Sequence, residues 1–361
     1  MDHFAYITDP SDPKTSALRC EGVDIESIAR EVGTPTYVYS SATISTHLQR
    51  IEHAWAPLRP SIHYAVKACS NLHVLRLMVE RGAGLDVVSG GELERAFLAG
   101  CPMDRVAFAG VGKSESEIRA ALDPRHSPLA SPGVRSLSGV DVLSRGPVGR
   151  IHIESEPELE RVARIAHELG VTATCSVRVN PGVDARTHAY TTTARPESKF
   201  GVDPEAALRI FRRAHELASI RLDGLHMHLG SPIYDFEPYE SGIGAMRELI
   251  DRIERAFPGG QRIGLLNIGG GFAADYETGR APSAHQYAER LVPLLAPLAE
   301  RGVAIAIEPG RTIVASAGVL LTRVQYVKRT PSRVFLVCDA GMHTLVRPAL
   351  YGSFHFVWPA R

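Results

Sequence analysis

From Ser61 to Arg311 the sequence repeats one unit: a short apolar run, a turn of glycine and polar residues, then a longer amphipathic stretch. The apolar runs predict strands over 62–67, 84–88, 106–109, 150–153, 174–179, 222–226, 265–268 and 304–308. The amphipathic stretches predict helices over 72–81, 92–99, 114–122, 156–169, 204–217, 239–255 and 284–300. Eight strands alternating with helices define parallel βα units. Their span matches a closed (β/α)8 barrel, which takes about 250 residues. An open doubly wound sheet is the alternative, but it usually has fewer strands.

The flanks break the rhythm. Residues 1–40 read as an N-terminal segment: a short helix from Val23 with Asp24 as its cap, a break at Gly33-Thr34-Pro35, and a strand over 36–39. A helix over 43–55 leads into the barrel. After Arg311 the runs 312–321, 323–328 and 334–339 are β-branched and strand-like. The expected division is therefore an N-terminal segment, 1–40, joining a β domain, a barrel over 41–310, and an all-β segment over 311–361. One interval inside the barrel, 123–149, is rich in Ser, Pro, Gly and Arg. Ordinary αβ loops run to about 2–6 residues, so this is an insertion, expected to be an exposed, mobile loop outside the barrel.

Composition narrows the function classes. Lys+Arg and Asp+Glu both number 40, which leaves no net charge to draw the chain to nucleic acid or an anionic membrane. The five cysteines are scattered and form no C-x-x-C pair, so neither a disulfide framework nor a zinc site is expected, and a reducing, cytoplasmic setting is. The first residues carry no signal-peptide pattern and no apolar run reaches 18 residues, so neither secretion nor a membrane span is expected.

In such a barrel, side chains at the C-terminal strand ends converge on one face. The first strand ends on Lys67, the second on Asp86 followed by Ser89-Gly90-Gly91-Glu92. The fifth ends on Arg178 and the sixth on His226-Met227-His228-Leu229-Gly230-Ser231. The seventh and eighth end on Gly269-Gly270-Gly271 and Glu308-Pro309-Gly310-Arg311. Each cluster alone is a turn or a core histidine; six at strand ends are a site. A lysine in an apolar run, if desolvated, has a free amine able to form a Schiff base. Three glycines let backbone N–H groups approach a phosphate. A carboxylate and a flat histidine complete the set that pyridoxal 5'-phosphate requires. On this reading Lys67 holds the cofactor aldehyde, Glu308 keeps the pyridine nitrogen protonated and His228 stacks on the ring. A zinc site at His226 and His228 is the rival, and it lacks a third ligand at metal-site spacing; no metal is expected.

The motifs Tyr64-Ala65-Val66-Lys67-Ala68, Leu85-Asp86-Val87-Val88-Ser89-Gly90-Gly91-Glu92, His226-x-His228-x-Gly230-Ser231, Asn267-Ile268-Gly269-Gly270-Gly271 and Glu308-Pro309-Gly310-Arg311 resemble the fold-type III pyridoxal-phosphate decarboxylases. Within that group, Asp339-Ala340-Gly341-Met342 and Arg347-Pro348-Ala349-Leu350-Tyr351-Gly352 are similar to diaminopimelate decarboxylases. The resemblance implies an alanine-racemase-type barrel plus a β domain built from both chain ends. It implies catalytic roles for Lys67, His228 and Glu308. The implied cofactor ligands are Lys67, Asp86, Arg178, His228, Ser231, Gly269, Gly270, Gly271, Glu308, Gly310 and Arg311, and the implied substrate ligands are Arg311, Arg347 and Tyr351. It further implies decarboxylation of meso-diaminopimelate to L-lysine, a small amino-acid substrate with no nucleic-acid or membrane partner, and a homodimer with shared active sites. Two departures stand out. Pro232 replaces a family glutamine. The family's later Cys-Glu motif and cofactor-binding tyrosine have no counterpart up to Arg361, so a truncated, weakly active form is an expectation beside the full activity. Another amino-acid decarboxylase or a racemase on the same scaffold is the remaining alternative.

Overall fold

The eight apolar runs form eight parallel strands that close into a barrel: Ser61–Ala65, Gly84–Val87, Val106–Phe108, Arg150–Ile153, Ala173–Arg178, Ile220–His226, Leu265–Asn267 and Ala304–Ile307. Closure is made by the last strand on the first, with Ala306 opposite Ser61 and Ile307 opposite Ile62. This computed structural model describes residues 3–9, 12–141, 145–183, 198–257, 260–276 and 279–361. The chain divides into two compact units, one of Gln49–Ala273 and Pro282–Thr312, the other of Met1–Leu48, Ala274–Ala281 and Ile313–Arg361.

Local chemistry sets where the barrel helices begin and end. Asn71, Ser89, Ser114, Ser155, Asp203 and Ser283 each cap a helix by accepting a backbone N–H of its first turn. Ser114 with Glu117 and Ser283 with Gln286 complete reciprocal capping boxes. The helices Gly90–Ala99 and Glu156–Leu169 stop at Gly100 and Gly170, both left-handed, at φ 86° and 68°. A first strand reaching Lys67 is not what forms. The strand ends at Ala65, and Val66–Ala68 is a single 3-10 turn that lifts Lys67 out of the ladder.

The insertion is exposed along most of its described length, as expected, but it is also anchored. Residues 142–144 of it lie outside the described residues; of the rest, Pro124, Ser127, Ser136 and Val148 are buried. Its backbone is tied to the barrel by Leu137 N–H to Leu98 O, Val148 N–H to Ala121 O and Gly149 N–H to Met103 O. A composition rich in Ser, Pro and Gly lowers regularity without preventing these anchors.

In the other unit, Phe4–Asp9 and Asp12–Cys20 form an antiparallel hairpin that continues onto Val23–Asp24. Phe4, Leu18, Cys20 and Ile25 make its small core, with Val319 and Leu321 packed against it. Thr36–Tyr39 pairs with Gly318–Leu321, and Val324–Arg329 with Val334–Cys338. The run 312–321 is thus only half strand. Arg311–Val314 is a turn of helix, because burying Ile313 and Val314 outweighs their β-branched preference.

Candidate active site

Lys67 is held by the second strand. Its Nζ donates to Asp86 Oδ2 at 2.9 Å; the Asp86 side chain is wholly buried while that of Lys67 is 45% exposed. Burial raises the Asp86 carboxyl to a pKa of about 6, helped by the charge of Glu308 and opposed by Lys67. Desolvation pulls the Lys67 ammonium down, but Asp86 and Glu308 outweigh it and the group titrates above its ordinary value. The expected desolvated, free amine is therefore corrected. The lysine is a half-exposed cation, because Asp86, at the end of the neighbouring second strand, lies beside it. Asp86 Oδ1 has no partner among the described residues.

Glu308 follows the eighth strand and is 3% exposed. Its Oε1 accepts from Asn267 Nδ2 at 2.8 Å, with His226 Nε2 at 3.1 Å and His152 Nε2 at 3.7 Å. The His152 and His226 rings stack, 4.2 Å between centroids and 17° between planes. Burial keeps both rings, and that of His63, below the ordinary imidazole value, and raises the Glu308 carboxyl.

The glycine turn joins three strand ends. A Cβ on Gly269, Gly270 or Gly271 would lie 2.4 Å from Met227 O, 2.1 Å from Glu308 O and 2.3 Å from Gly230 O respectively. These glycines are thus required by close backbone packing, beyond any role toward a phosphate. Two of their N–H groups are engaged: Gly269 donates to Asn267 Oδ1 at 2.8 Å and Gly270 to His228 Nδ1 at 3.2 Å. The second contact makes His228 Nδ1 an acceptor and places any proton on Nε2, and burial holds that ring neutral. Beside the turn, Arg311 Nε donates to Ser231 Oγ at 3.1 Å. Gly310 packs on the first strand end, where its Cβ would be 3.0 Å from Ala65 and Ala68 Cβ.

Arg178, which ends the fifth strand, is paired with Glu154 by its Nη1 at 3.0 and 3.1 Å, and lies over Phe200 at 4.8 Å. Glu154 also accepts Gly110 and Gly201 N–H, so it knits three strand-end loops together. Sequence reading gave no role to Glu154, His63 and His152, and took Asn267 only as the first residue of the motif that ends in the three glycines. The one available signal for Glu154 was its place at a strand end, directly before the helix cap Ser155. Among the described residues, the grouping of potential metal ligands is His152, His226 and Glu308, and it does not include His228.

Lys113 is the buried lysine of the barrel, 1% exposed, donating to Gly110 O, His152 O and Glu158 Oε1 at 2.7–2.8 Å. All three of its protons are used, so its role is structural. Lys113→Met should destabilise the fold by about 3 kcal/mol, because Glu158, with a side chain only 10% exposed, loses its cation and keeps one backbone donor, Glu154 N–H. Urea unfolding measures this; an unchanged midpoint would show that Glu158 finds water.

In the other unit Arg347 lies against the rings of Tyr276, at 5.8 Å, and Tyr351, at 5.4 Å, and its Nη2 donates to Ser353 Oγ at 3.1 Å. A guanidinium held by two aromatic rings keeps a fixed plane, the form suited to a carboxylate.

The barrel and its strand-end residues are those of a pyridoxal-dependent decarboxylase: the family described as "Pyridoxal-dependent decarboxylase, pyridoxal binding domain" matches residues 41–315. The whole chain is 39% identical to a diaminopimelate decarboxylase from Pseudomonas aeruginosa and 36% identical to one from Vibrio cholerae, covering 79% of each. A crystal structure of diaminopimelate decarboxylase from Helicobacter pylori complexed with L-lysine superposes with a TM-score of 0.80 at 32% identity, over 92% of this chain and 77% of that one. The chain belongs to the diaminopimelate decarboxylase family. The family's cofactor, pyridoxal 5'-phosphate, suits the residues found here. A lysine cation stands beside a carboxylate with an unpartnered oxygen, a neutral histidine faces the glycine turn, and a buried carboxylate closes the eighth strand.

Proposed function

We propose that this chain decarboxylates meso-2,6-diaminopimelate at one Cα, giving L-lysine and CO2. The observation that carries the reading is the Lys67–Asp86 pair at one strand end, in the same barrel as the buried Glu308. Bound pyridoxal 5'-phosphate supplies an electron sink for the charge left on Cα when CO2 departs. Lys67 Nζ would hold the cofactor at its aldehyde. The Asp86 carboxylate, 2.9 Å from Lys67 Nζ, would stabilise positive charge at that nitrogen. Glu308 holds a proton at the ring nitrogen. His228, neutral and fixed by Gly270, covers a face of the ring. Ser231, Arg311, Gly310 and the glycine turn bind the phosphate, and Arg178 contributes positive charge to the site through its fixed place beside Glu154. Arg311, Arg347 and Tyr351 bind the substrate; the distal amino-acid head of diaminopimelate carries a carboxylate that a planar guanidinium recognises.

We further propose one β domain built from 1–40 and 311–361, and a barrel domain over 41–310. A homodimer is supported by the hairpin of Val324–Arg329 and Val334–Cys338, which leaves Tyr326, Phe335 and Leu336 exposed. A cytoplasmic setting is supported by five cysteines that are all free. No helix among the described residues is long and apolar enough to cross a membrane.

The experiment supplies the purified chain with pyridoxal 5'-phosphate and meso-diaminopimelate, ornithine or arginine in turn, and measures CO2 and the amine product. Lysine from diaminopimelate is expected. CO2 from ornithine or arginine alone would assign the chain to another amino-acid decarboxylase.

A further inference from the structure

We propose that His226, with the ring of His152 stacked behind it, is a positioning residue that fixes the Glu308 carboxylate, an inference that rests on the reading of Glu308 as the partner of the cofactor ring nitrogen. Three side chains approach Glu308 at Oε1: Asn267 Nδ2 at 2.8 Å, His226 Nε2 at 3.1 Å and His152 Nε2 at 3.7 Å. One aligned donor, Asn267, and the nearby His226 nitrogen set the rotation of the carboxylate from the Oε1 side, leaving Oε2 to meet a bound group. A neutral imidazole has one N–H and one acceptor nitrogen. With Nε2 toward the carboxylate, the useful tautomer of His226 carries its proton there. The His226 nitrogen is close to Oε1 but is not aligned as a full hydrogen bond, so its contribution is electrostatic and orienting, and Asn267 makes the aligned bond.

Neither a metal centre nor plain core filling accounts for this cluster. A metal ion held by His152, His226 and Glu308 would need ring lone pairs that converge. In rings only 17° from parallel and 4.2 Å apart, the in-plane lone pairs run side by side instead. A simple core filler would be apolar. Both nitrogens of His152 and both of His226 are buried without a hydrogen-bond partner among the described residues, and such groups cost stability where leucine would not. The stacked pair is therefore retained against its own folding cost, and Glu308 is the polar group it addresses. His152 covers one face of the His226 ring and so limits its rotation.

The test uses the protein loaded with pyridoxal 5'-phosphate carrying 15N in its ring, and reads the ring-nitrogen resonance together with the cofactor dissociation constant. In the unaltered protein the resonance should lie at the protonated position. Glu308→Gln is the control and should move it toward neutral pyridine. His226→Leu should move it in the same direction by a smaller amount and weaken cofactor binding about tenfold, the equivalent of about one pKa unit of interaction. Thermal stability should hold or rise, because two unpartnered nitrogens are removed. His226→Gln, which restores an amide donor, should recover most of the shift. If His226→Leu fails to fold, His226→Asn takes its place: polar, but too short to reach Oε1. A normal resonance and affinity in the His226 variants, with Glu308→Gln shifted, overturns this inference and leaves the role of Glu308 standing. A normal resonance in Glu308→Gln overturns both.

Discussion

Replacing Lys67 by alanine should lower turnover by at least about 10³-fold, within the range lost when a principal catalytic side chain is removed. The expectation comes from where the lysines lie. Lys113 has all three protons committed to buried acceptors, and Lys199 sits over the Phe200 ring at 5.3 Å. Lys67 alone is carried on a turn at a barrel strand end, with its amine half exposed beside a carboxylate. Borohydride reduction of the cofactor-loaded protein, followed by peptide mapping, should place the label on Lys67 and find none in Lys67→Ala. Label on Lys113 or Lys199 would refute the assignment. The variant carries a second signature, in stability. Asp86 has a folded-state pKa raised to about 6, and Lys67 is one of the groups holding it from rising further. A carboxyl whose pKa is raised by folding keeps its proton longer in the folded state, so stability falls as pH climbs from the unfolded value through the folded one. Without Lys67 the folded pKa rises again. The stability gap between variant and parent should therefore be small at pH 5 and open above about pH 6. A gap that is constant with pH would mean that Asp86 is satisfied by other means.

What could be read in advance follows from how barrels encode themselves. Parallel strands buried on both faces read as short apolar runs, and serine, asparagine and aspartate caps mark the helix starts, so the eight-unit rhythm and its strand ends stood out in one dimension. Lys67, Asp86, Glu308 and the three glycines lie at those ends, and their juxtaposition follows from barrel closure. The residues given no role of their own are harder to single out. His152 lies within its strand, while Asn267 ends one strand and Glu154 directly follows another without a glycine or lysine beside it. Their partners are on other strands: Glu154 meets Arg178, and Asn267 meets Glu308. No periodicity links positions so far apart in the chain. The N-terminal hairpin escaped for a different reason. Its core is only Phe4, Leu18, Cys20 and Ile25, so the alternation that marks a half-buried strand is too sparse to read. Arg311–Val314 shows tertiary burial overriding β-branched preference, and the segment 123–149 shows that a loop-like composition can still carry buried anchors.

Gly270→Ala should be nearly as damaging as loss of a catalytic group, though it adds one methyl. A Cβ at this position would lie 2.1 Å from the Glu308 carbonyl oxygen and 3.0 Å from its carbon. Both are backbone atoms, so no side-chain rotation relieves the clash. Nor can the turn back away easily. Glu308 N–H donates to Gly269 O at 2.9 Å, Ile233 N–H to Gly271 O at 2.9 Å, and the Tyr239 hydroxyl to Gly270 O at 2.9 Å. The eighth strand end must give way, and it carries the Glu308 carboxylate with it. Overpacking of this kind costs about 1–3 kcal/mol of stability. A displacement of about 1 Å at a reacting group costs on the order of 10²-fold in rate. Gly270 separates these effects from backbone strain better than its neighbours, because Gly269 and Gly271 sit at φ 71° and 98° and it does not share their positive φ. Gly91→Ala is the matching control: its Cβ meets nothing within 4 Å, and it lies in the helix Gly90–Ala99, where alanine is favoured by up to about 1 kcal/mol. Thermal melts and kcat/KM should show Gly91→Ala unchanged or slightly stabilised, and Gly270→Ala impaired in both. Parental melting temperature and kcat/KM in Gly270→Ala would mean that the strand end shifts without moving Glu308, and that the glycine turn does not set the position of that carboxylate.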